Sequence, residues 1–250
     1  MVPLSRAARL VAWGNAALFG MVSLDDATMH VVGPDDPPHR VTGLPAEPAP
    51  VGISLALGRL RALGVTRLRL ALPTPGDPQG LPGPPGVNEA AVALGEAVLT
   101  RDGPAFALLP TARATWTAYA VAPSSPAVLS VAEAERALTE ELGAAAESLT
   151  RLDVARWDPA AEDLLSAGRA AAEPLLPACF PTRAHTLLLT AQRIGAVAEL
   201  ADRHEGGAVS GPEVVLRSAA LRRLAAASRR AVEAACNAPL PGQDGPSADR

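Results

Sequence analysis

Two arginines stand two residues apart in the alternating segment TRLRLAL, and this spacing puts Arg67 and Arg69 on the same face of a strand. The leucines between and beyond them occupy the opposite face. Arg113 comes directly before a second strand candidate, ATWTAYAV. Because a guanidinium holds a phosphate or carboxylate through paired N–H groups, the three arginines are candidates for an anion platform. The favoured interpretation, however, is a strand face that is solvated, or covered by a helix carrying acids.

A long loop rich in glycine and proline follows the first strand, and it contains GDPQGLPGPPGVNEAA from Gly76 to Ala91. Open α/β sheets bind ligands at such a strand-to-helix connection. The loop does not predict a phosphate cradle, because its prolines remove backbone N–H groups and its spacing is G-x-x-G-x-x-G. We expect residues 73–87 to form a long connection pinned against the sheet edge; the alternative is a stiff flap or a ridge for a protein partner. Asn88 is predicted to be the N-cap of the next helix. The predicted ligand-binding residues are Arg67, Arg69, Asp77, Asn88, Glu89 and Arg113.

A weak metal pattern lies nearer the N-terminus. Asp26 and His30 are four residues apart in a predicted helix, so one face presents both, and His39 follows a turn. However, Asp26 suits the first turn of a helix, and no H-E-x-x-H or C-x-x-C motif supports zinc. The sequence therefore predicts no metal and no cofactor, with Asp26, His30 and His39 as weak candidates.

Evidence for catalysis in the sequence is thin. The chain has 22 arginines and no lysine, which excludes a Schiff-base lysine, a P-loop lysine and a Ser–Lys dyad. A GC-rich bacterial coding sequence accounts for the bias. Cys179 and His185 are a conceivable dyad, but the apolar neighbours of Cys179 predict an inert thiol. No catalytic residue is predicted, and the two distant cysteines indicate free thiols in a reducing cytoplasm.

The charges of the second half are segregated between helices. The predicted helix that starts at Ser130 is rich in glutamate, and the last predicted helix is rich in arginine. In that last helix Arg223 and Arg230 are seven residues apart, as are Arg222 and Arg229, so each pair lies along one face. Pairing between acidic and basic helices of one bundle is the favoured interpretation. A stripe for nucleic acid is the alternative, although no aromatic residues are interleaved with the arginines.

Periodicity and turn residues predict the elements that position these groups. The apolar run LVAWGNAALFGMV predicts a docked amphipathic helix, not a signal peptide, and no segment approaches a membrane span. A strand at 39–44, a helix at 51–64 and the strand at 66–72 suggest a right-handed βαβ crossover. Three further strands follow, the first two joined by a hairpin at RDGP. The later helices are predicted at 130–152, 159–172, 182–203 and 212–236.

The predicted fold class is α+β, with a mixed β-sheet of about five strands and flanking helices, followed by a C-terminal bundle of about four helices. The predicted domains are a sheet lobe at 1–122, a linker at 123–129, an all-α lobe at 130–236 and a disordered tail at 237–250. The favoured function is a non-enzymatic binding or regulatory module in the cytoplasm, whose protein partner docks on the loop 73–87 or on the helical lobe. The alternative is an enzyme or sensor for a small anionic metabolite, sited at that loop and the nearby arginines.

Overall fold

The protein is described by a computed structural model that covers residues 4–33, 36–124, 126–151, 175–203 and 211–242. The chain divides into two compact units. Within the described residues, the sheet unit contains 4–128, 175–180 and 239–242, and the helical unit contains 129–151, 181–203 and 211–238. The predicted helix at 159–172 and residues 243–250 of the predicted tail lie outside the described residues. Leu240, which was predicted to belong to that tail, is buried.

A mixed sheet of six strands forms the centre of the sheet unit. The strands are β1 (Arg40–Thr42), β2 (Val51–Gly52), β3 (Arg67–Ala71), β4 (Ala97–Arg101), β5 (Phe106–Ala112) and β6 (Thr115–Ala120). Their order across the sheet is β2-β1-β6-β5-β4-β3, and only β1 and β6 pair in parallel. The hairpin predicted at RDGP joins β4 and β5. The strand register continues to Arg101 opposite Ala105, which leaves a three-residue loop in which Asp102 and Gly103 both take positive φ angles.

The predicted βαβ crossover is wrong. β3 is the edge strand farthest from β2, and it pairs antiparallel with β4, while β1 pairs with β6. Three antiparallel strands, β4 to β6, occupy the sheet between β1 and β3. The alternation of side chains identifies a strand but carries no information about which strand it pairs with, so the crossover could not be read from periodicity.

Helices cover both faces of the sheet. The helices of this unit are α1 (Arg6–Leu18), α2 (Leu24–Val32), α3 (Ile53–Ala62) and α4 (Pro85–Leu94). α1 and α3 meet on the face that carries Leu68, since a Cβ at Gly14 would contact the Leu68 and Leu57 side chains. α4 lies on the opposite face, where Ala91 joins a cluster with Leu99 and Leu109 of the sheet. Ser23 caps α2 as its sequence predicts, accepting a hydrogen bond from the Asp26 amide.

The first helix is the most deeply buried of these elements. Ten of the 13 residues of α1 are buried, including Trp13. The buried surface of α1 is therefore wider than the single amphipathic stripe that the sequence predicts. Asn15 is also buried, and its side chain replaces a neighbouring strand along the edge of β3. Its Nδ2 donates to the Leu68 carbonyl at 2.9 Å, and its Oδ1 accepts from the Leu68 amide at 2.7 Å. Buried polar groups require such partners, and here one side chain satisfies two backbone groups.

Three long helices form the described part of the helical unit. They are α5 (Val131–Arg151), α6 (Thr182–Arg203) and α7 (Gly211–Cys236). The capping box predicted at the start of α5 is confirmed, because Ser130 Oγ accepts from the Glu133 amide and the Glu133 carboxylate accepts from the Ser130 amide. α7 packs against both α5 and α6. At the α6–α7 crossing, a Cβ at Gly195 would lie 3.3 Å from that of Ser228, so the two backbones approach closely.

The part of the chain that the structure describes contains no helix both long and apolar enough to cross a membrane.

Candidate functional site

Arg69 ties the long loop to the sheet. It lies in the middle of β3 with only 5% of its surface exposed. Its Nη1 donates to the Gln79 carbonyl at 3.2 Å and its Nη2 donates to the Gly80 carbonyl at 3.3 Å. The loop 73–87 therefore contacts the face of β3 that carries Arg69.

The loop is also held by contacts within itself. The Thr74 and Asp77 backbones exchange two hydrogen bonds, at 3.0 and 2.9 Å, around a Pro-Gly turn. The Asp77 carboxylate accepts from the Gln79 side-chain amide at 2.7 Å. The next segment packs its apolar side chains, Leu81 and Val87, against the cluster under α4. Asp77 thus shapes the turn that carries the loop over the sheet.

The predicted role of Asn88 as an N-cap is wrong. α4 begins at Pro85 and its N-cap is Pro84, because proline fixes a helical φ and needs no N–H at the first helical position. Asn88 instead lies in the first turn, where its Oδ1 accepts from the Gly83 amide at 2.9 Å. Glu89 follows on an exposed position of the same helix.

The structure does not bring Arg113 to the other two predicted arginines. The strand register places Arg67 level with Arg101 and Ala105, and Arg113 lies eight residues farther along, beyond the other end of β5. At about 3.3 Å per residue, the two backbones are roughly 25 Å apart along the strand direction. The Arg113 side chain is largely exposed and lies 3.5 Å from the Asp36 carboxylate.

The three weak metal candidates have structural roles. The His30 ring stacks on Trp13 with centroids 3.5 Å apart, and its Nδ1 donates to the Asp26 backbone carbonyl at 2.9 Å. The Asp26 carboxylate accepts from the Ser23 hydroxyl. Among the described residues, no group of three His, Cys, Asp or Glu side chains is placed to hold a metal ion.

His39 is a buried histidine that the sequence did not distinguish from a surface one. Its Nδ1 accepts from the Trp116 indole N–H at 3.3 Å, and its Nε2 lies 3.8 Å from the Asp36 carboxylate. Desolvation lowers the pKa of His39 below 6.5, and the positive charge of Arg9 lowers the pKa further, against the opposing effect of Asp36. His39 is therefore a neutral core residue whose ring orients Trp116.

Both cysteines are free, and burial raises the pKa of each thiol. Desolvation raises the pKa of Cys236 to about 12, and it also raises the pKa of the half-buried Cys179. A thiol with a raised pKa supplies little thiolate, so the conceivable Cys179–His185 dyad gains no support from this environment.

Arg101 is the arginine that sequence reasoning missed. It is the cross-strand partner of Arg67, so both side chains project from the same face of the sheet as Arg69. A cavity of about 330 Å³ adjoins Arg101. Its lining residues are Thr100, Arg101, Asp102, Gly103, Ala105, Pro123 and Ser124. No local pattern in RDGP indicates that Arg101 lies opposite Arg67, because this position depends on the pairing of β3 with β4.

A second concave surface lies on the helical unit, between α5 and α7. This α5–α7 groove has a volume of about 300 Å³. Its floor consists of small or apolar residues and its rim is charged; the lining residues are Leu129, Ala134, Ala137, Glu141, Arg223, Ala226, Ala227 and Arg230. The Arg223 guanidinium lies 3.6 Å from the Glu141 carboxylate, so the acidic and basic helices do pair with each other as expected. Arg223 and Arg230 lie two helical turns apart on one face of α7, and both line this groove.

Comparison with known proteins identifies two adjoining family models. Residues 7–131 match the model described as Rv1486c-like protein, N-terminal domain. Residues 132–233 match the model described as Rv1486c-like protein, C-terminal domain. No curated protein and no solved structure matches the chain.

Proposed function

The chain belongs to the Rv1486c-like family, and we propose that it is a non-enzymatic binding module that holds a segment of a partner protein in the α5–α7 groove. The observation that carries this proposal is the groove itself, an apolar trough with arginines on its rim. In this proposal the protein acts in the cytoplasm, where its two free thiols remain reduced.

The dimensions of the groove favour anchor side chains over a whole metabolite. Its volume of about 300 Å³ is at the lower end of the range for small-molecule pockets. Alanines at 134, 137, 226 and 227 leave space in the groove, because none of them projects beyond its Cβ. One or two large apolar side chains of a partner helix would fill it, as in other helix-in-groove complexes.

The charges on the rim define the chemistry of the partner. Arg223 and Arg230 lie on the rim, and Glu141 is half-buried and paired with Arg223. The rim therefore has an excess of positive charge. A partner segment that carries an acidic residue next to its apolar anchor matches this surface, since complementary charge sets the orientation of docking and speeds association.

Site-specific photo-crosslinking in the native cells tests the proposal. A photoreactive side chain is placed at Ala226 in the groove and, as a control, at Ala144, an exposed position of α5 outside the groove lining. We expect a discrete protein adduct from position 226 and none from position 144. Arg230→Glu should abolish the adduct because it reverses a rim charge, whereas Arg222→Glu, an equal reversal at an exposed position outside the groove lining, should leave it.

Binding of the purified captured protein then gives the magnitude. Arg230→Glu should raise the dissociation constant at least about tenfold, which corresponds to ~1.4 kcal/mol of lost binding free energy. Arg222→Glu should change the dissociation constant by less than about twofold. Equal adducts from positions 226 and 144, or equal effects of the two reversals, would refute a role for the groove. Circular dichroism of each variant confirms that the helices are intact.

A further inference from the structure

We propose that Glu141 is an internal competitor in the α5–α7 groove, which pairs with Arg223 in the free protein and releases it to an acidic residue of the bound segment. This inference rests on the function proposed above and adds the residue that limits the affinity of the groove. Glu141 lines the groove from α5 and Arg223 lines it from α7, and the two side chains form an ion pair. The pair therefore lies at the surface that the partner segment would contact.

The contact between these two residues is loose. Arg223 Nε lies 3.6 Å from a Glu141 carboxylate oxygen, which is beyond the roughly 2.7–3.2 Å of an N–H···O hydrogen bond. The Arg223 side chain is 58% exposed and the Glu141 side chain is 38% exposed. Ion pairs in contact with water contribute little stability, because the solvent screens both charges and two long side chains must be held in place. Separation of the pair is therefore a small cost for an incoming segment.

A partner carboxylate can make a closer contact with Arg223 than Glu141 does. A guanidinium forms two parallel N–H···O bonds with a well-placed carboxylate, at about 2.7–2.9 Å, and such bonds are stronger than neutral ones. Glu141, at 3.6 Å, has not formed them. Among the described residues that line the groove, Glu141 is also the only acid, so it is the charge that repels an acidic partner. The affinity of the groove is thus set by competition between two carboxylates for one arginine.

The position of the ion pair also defines where the acidic residue lies in the partner. Ala137 is one helical turn before Glu141 on α5. Ala227 is one turn after Arg223 on α7, and both alanines line the groove. The space for an apolar anchor therefore lies about one turn, or roughly 5.4 Å, from the pair. In a helical partner, we expect the acidic residue three or four positions from the large apolar residue.

Affinity measurements with two synthetic peptides test this inference. The adduct formed at position 226 identifies the bound segment of the captured protein, and this segment is made with its acidic residue and with the corresponding amide. Glu141→Gln should lower the dissociation constant of the full chain for the acidic peptide by about two- to fivefold, because the competing charge is gone. It should leave the affinity for the amide peptide unchanged. Arg223→Gln should weaken binding of the acidic peptide only.

Glu140→Gln is the matched control. Glu140 is the neighbouring acid on α5 and also pairs with an arginine, Arg136, at 3.8 Å, but it lies outside the groove lining and is 70% exposed. Its replacement removes the same charge from the same helix, so the affinity for both peptides should stay at the wild-type value. Circular dichroism of each variant confirms that the helices are intact.

The outcomes separate this inference from the proposed function. If Glu141→Gln weakens binding of the acidic peptide, then Glu141 contacts the partner directly, and if it has no effect, then no competition exists. Either result overturns the inference and leaves the groove as a binding site. A captured segment that lacks an acidic residue three or four positions from its apolar anchor overturns it as well. If position 226 gives no specific adduct, then the groove function fails and this inference fails with it.

Discussion

Asn15 gives the sharpest stability prediction, because one side chain satisfies two buried backbone groups. In Asn15→Ala, the Leu68 amide and carbonyl lose their partners at the edge of β3. Each buried group left unsatisfied costs about 1–3 kcal/mol, so the expected loss in the free energy of unfolding is about 2–6 kcal/mol. This is a large share of the roughly 5–15 kcal/mol that stabilises a typical protein. The variant is therefore expected to unfold at a much lower urea concentration.

Asn88→Ala is the matched control for this prediction. It removes the same side chain where it accepts one hydrogen bond, from the half-buried Gly83 amide, so the expected loss is about 0.5–1.5 kcal/mol. Urea unfolding followed by circular dichroism gives both values, provided that the slopes of the transitions agree. If Asn15→Ala costs no more than Asn88→Ala, then the edge of β3 does not depend on Asn15, and the burial argument fails.

Three further predictions concern individual residues. Because the pKa of His39 is lowered in the folded state, only the unfolded chain binds a proton at this ring just below pH 6.5. The free energy of unfolding should therefore fall as the pH drops through 6.5. Urea titrations at several pH values should show a weaker pH dependence of stability in His39→Gln. Gly58→Ala, within α3 where a new Cβ would meet no other atom, should raise the unfolding free energy by about 0.5–1 kcal/mol. Gly43→Ala should lower the unfolding free energy by more than about 1 kcal/mol, because φ is 79° at Gly43 and the new Cβ would lie 2.5 Å from the Ala118 carbonyl oxygen. Similar urea midpoints for the two variants would contradict this prediction. Cys236, with a pKa of about 12, should react with a thiol reagent only at the rate of unfolding, and fast labelling of the native protein would disprove its burial.

Much of the fold could be predicted because local signals agree with it. The capping residues at Ser23 and Ser130 mark helix starts in the sequence and act as caps in the structure. The RDGP hairpin has the residues its turn requires. What failed was pairing: a right-handed βαβ crossover was expected to join β1 and β3, yet three antiparallel strands lie between them. Pairing depends on contacts distant in sequence, which periodicity does not encode.

The candidate site shows the same difference between features set by local sequence and features set by strand pairing. Arg67 and Arg69 share a strand face, as their spacing predicts, because alternation is a local property. From the sequence, Arg113 was predicted and Arg101 was not, and only the register of β3 with β4 shows that Arg101 lies opposite Arg67. Asn88 was assigned to a cap because asparagine favours that position, but prolines 84 and 85 had already started the helix.

The sheet unit is discontinuous along the chain, and this has a practical consequence for dissecting the protein. Residues 175–180 and 239–242 belong to the sheet unit although the helical unit begins at residue 129. These returning segments contribute buried apolar side chains, Leu176, Phe180 and Leu240. A fragment truncated at residue 131 would keep all six strands found among the described residues, yet it would lack these side chains and expose the apolar surface they cover. Such a fragment should be prone to aggregation, so the sheet unit is better studied in a polypeptide that keeps residues 4–242.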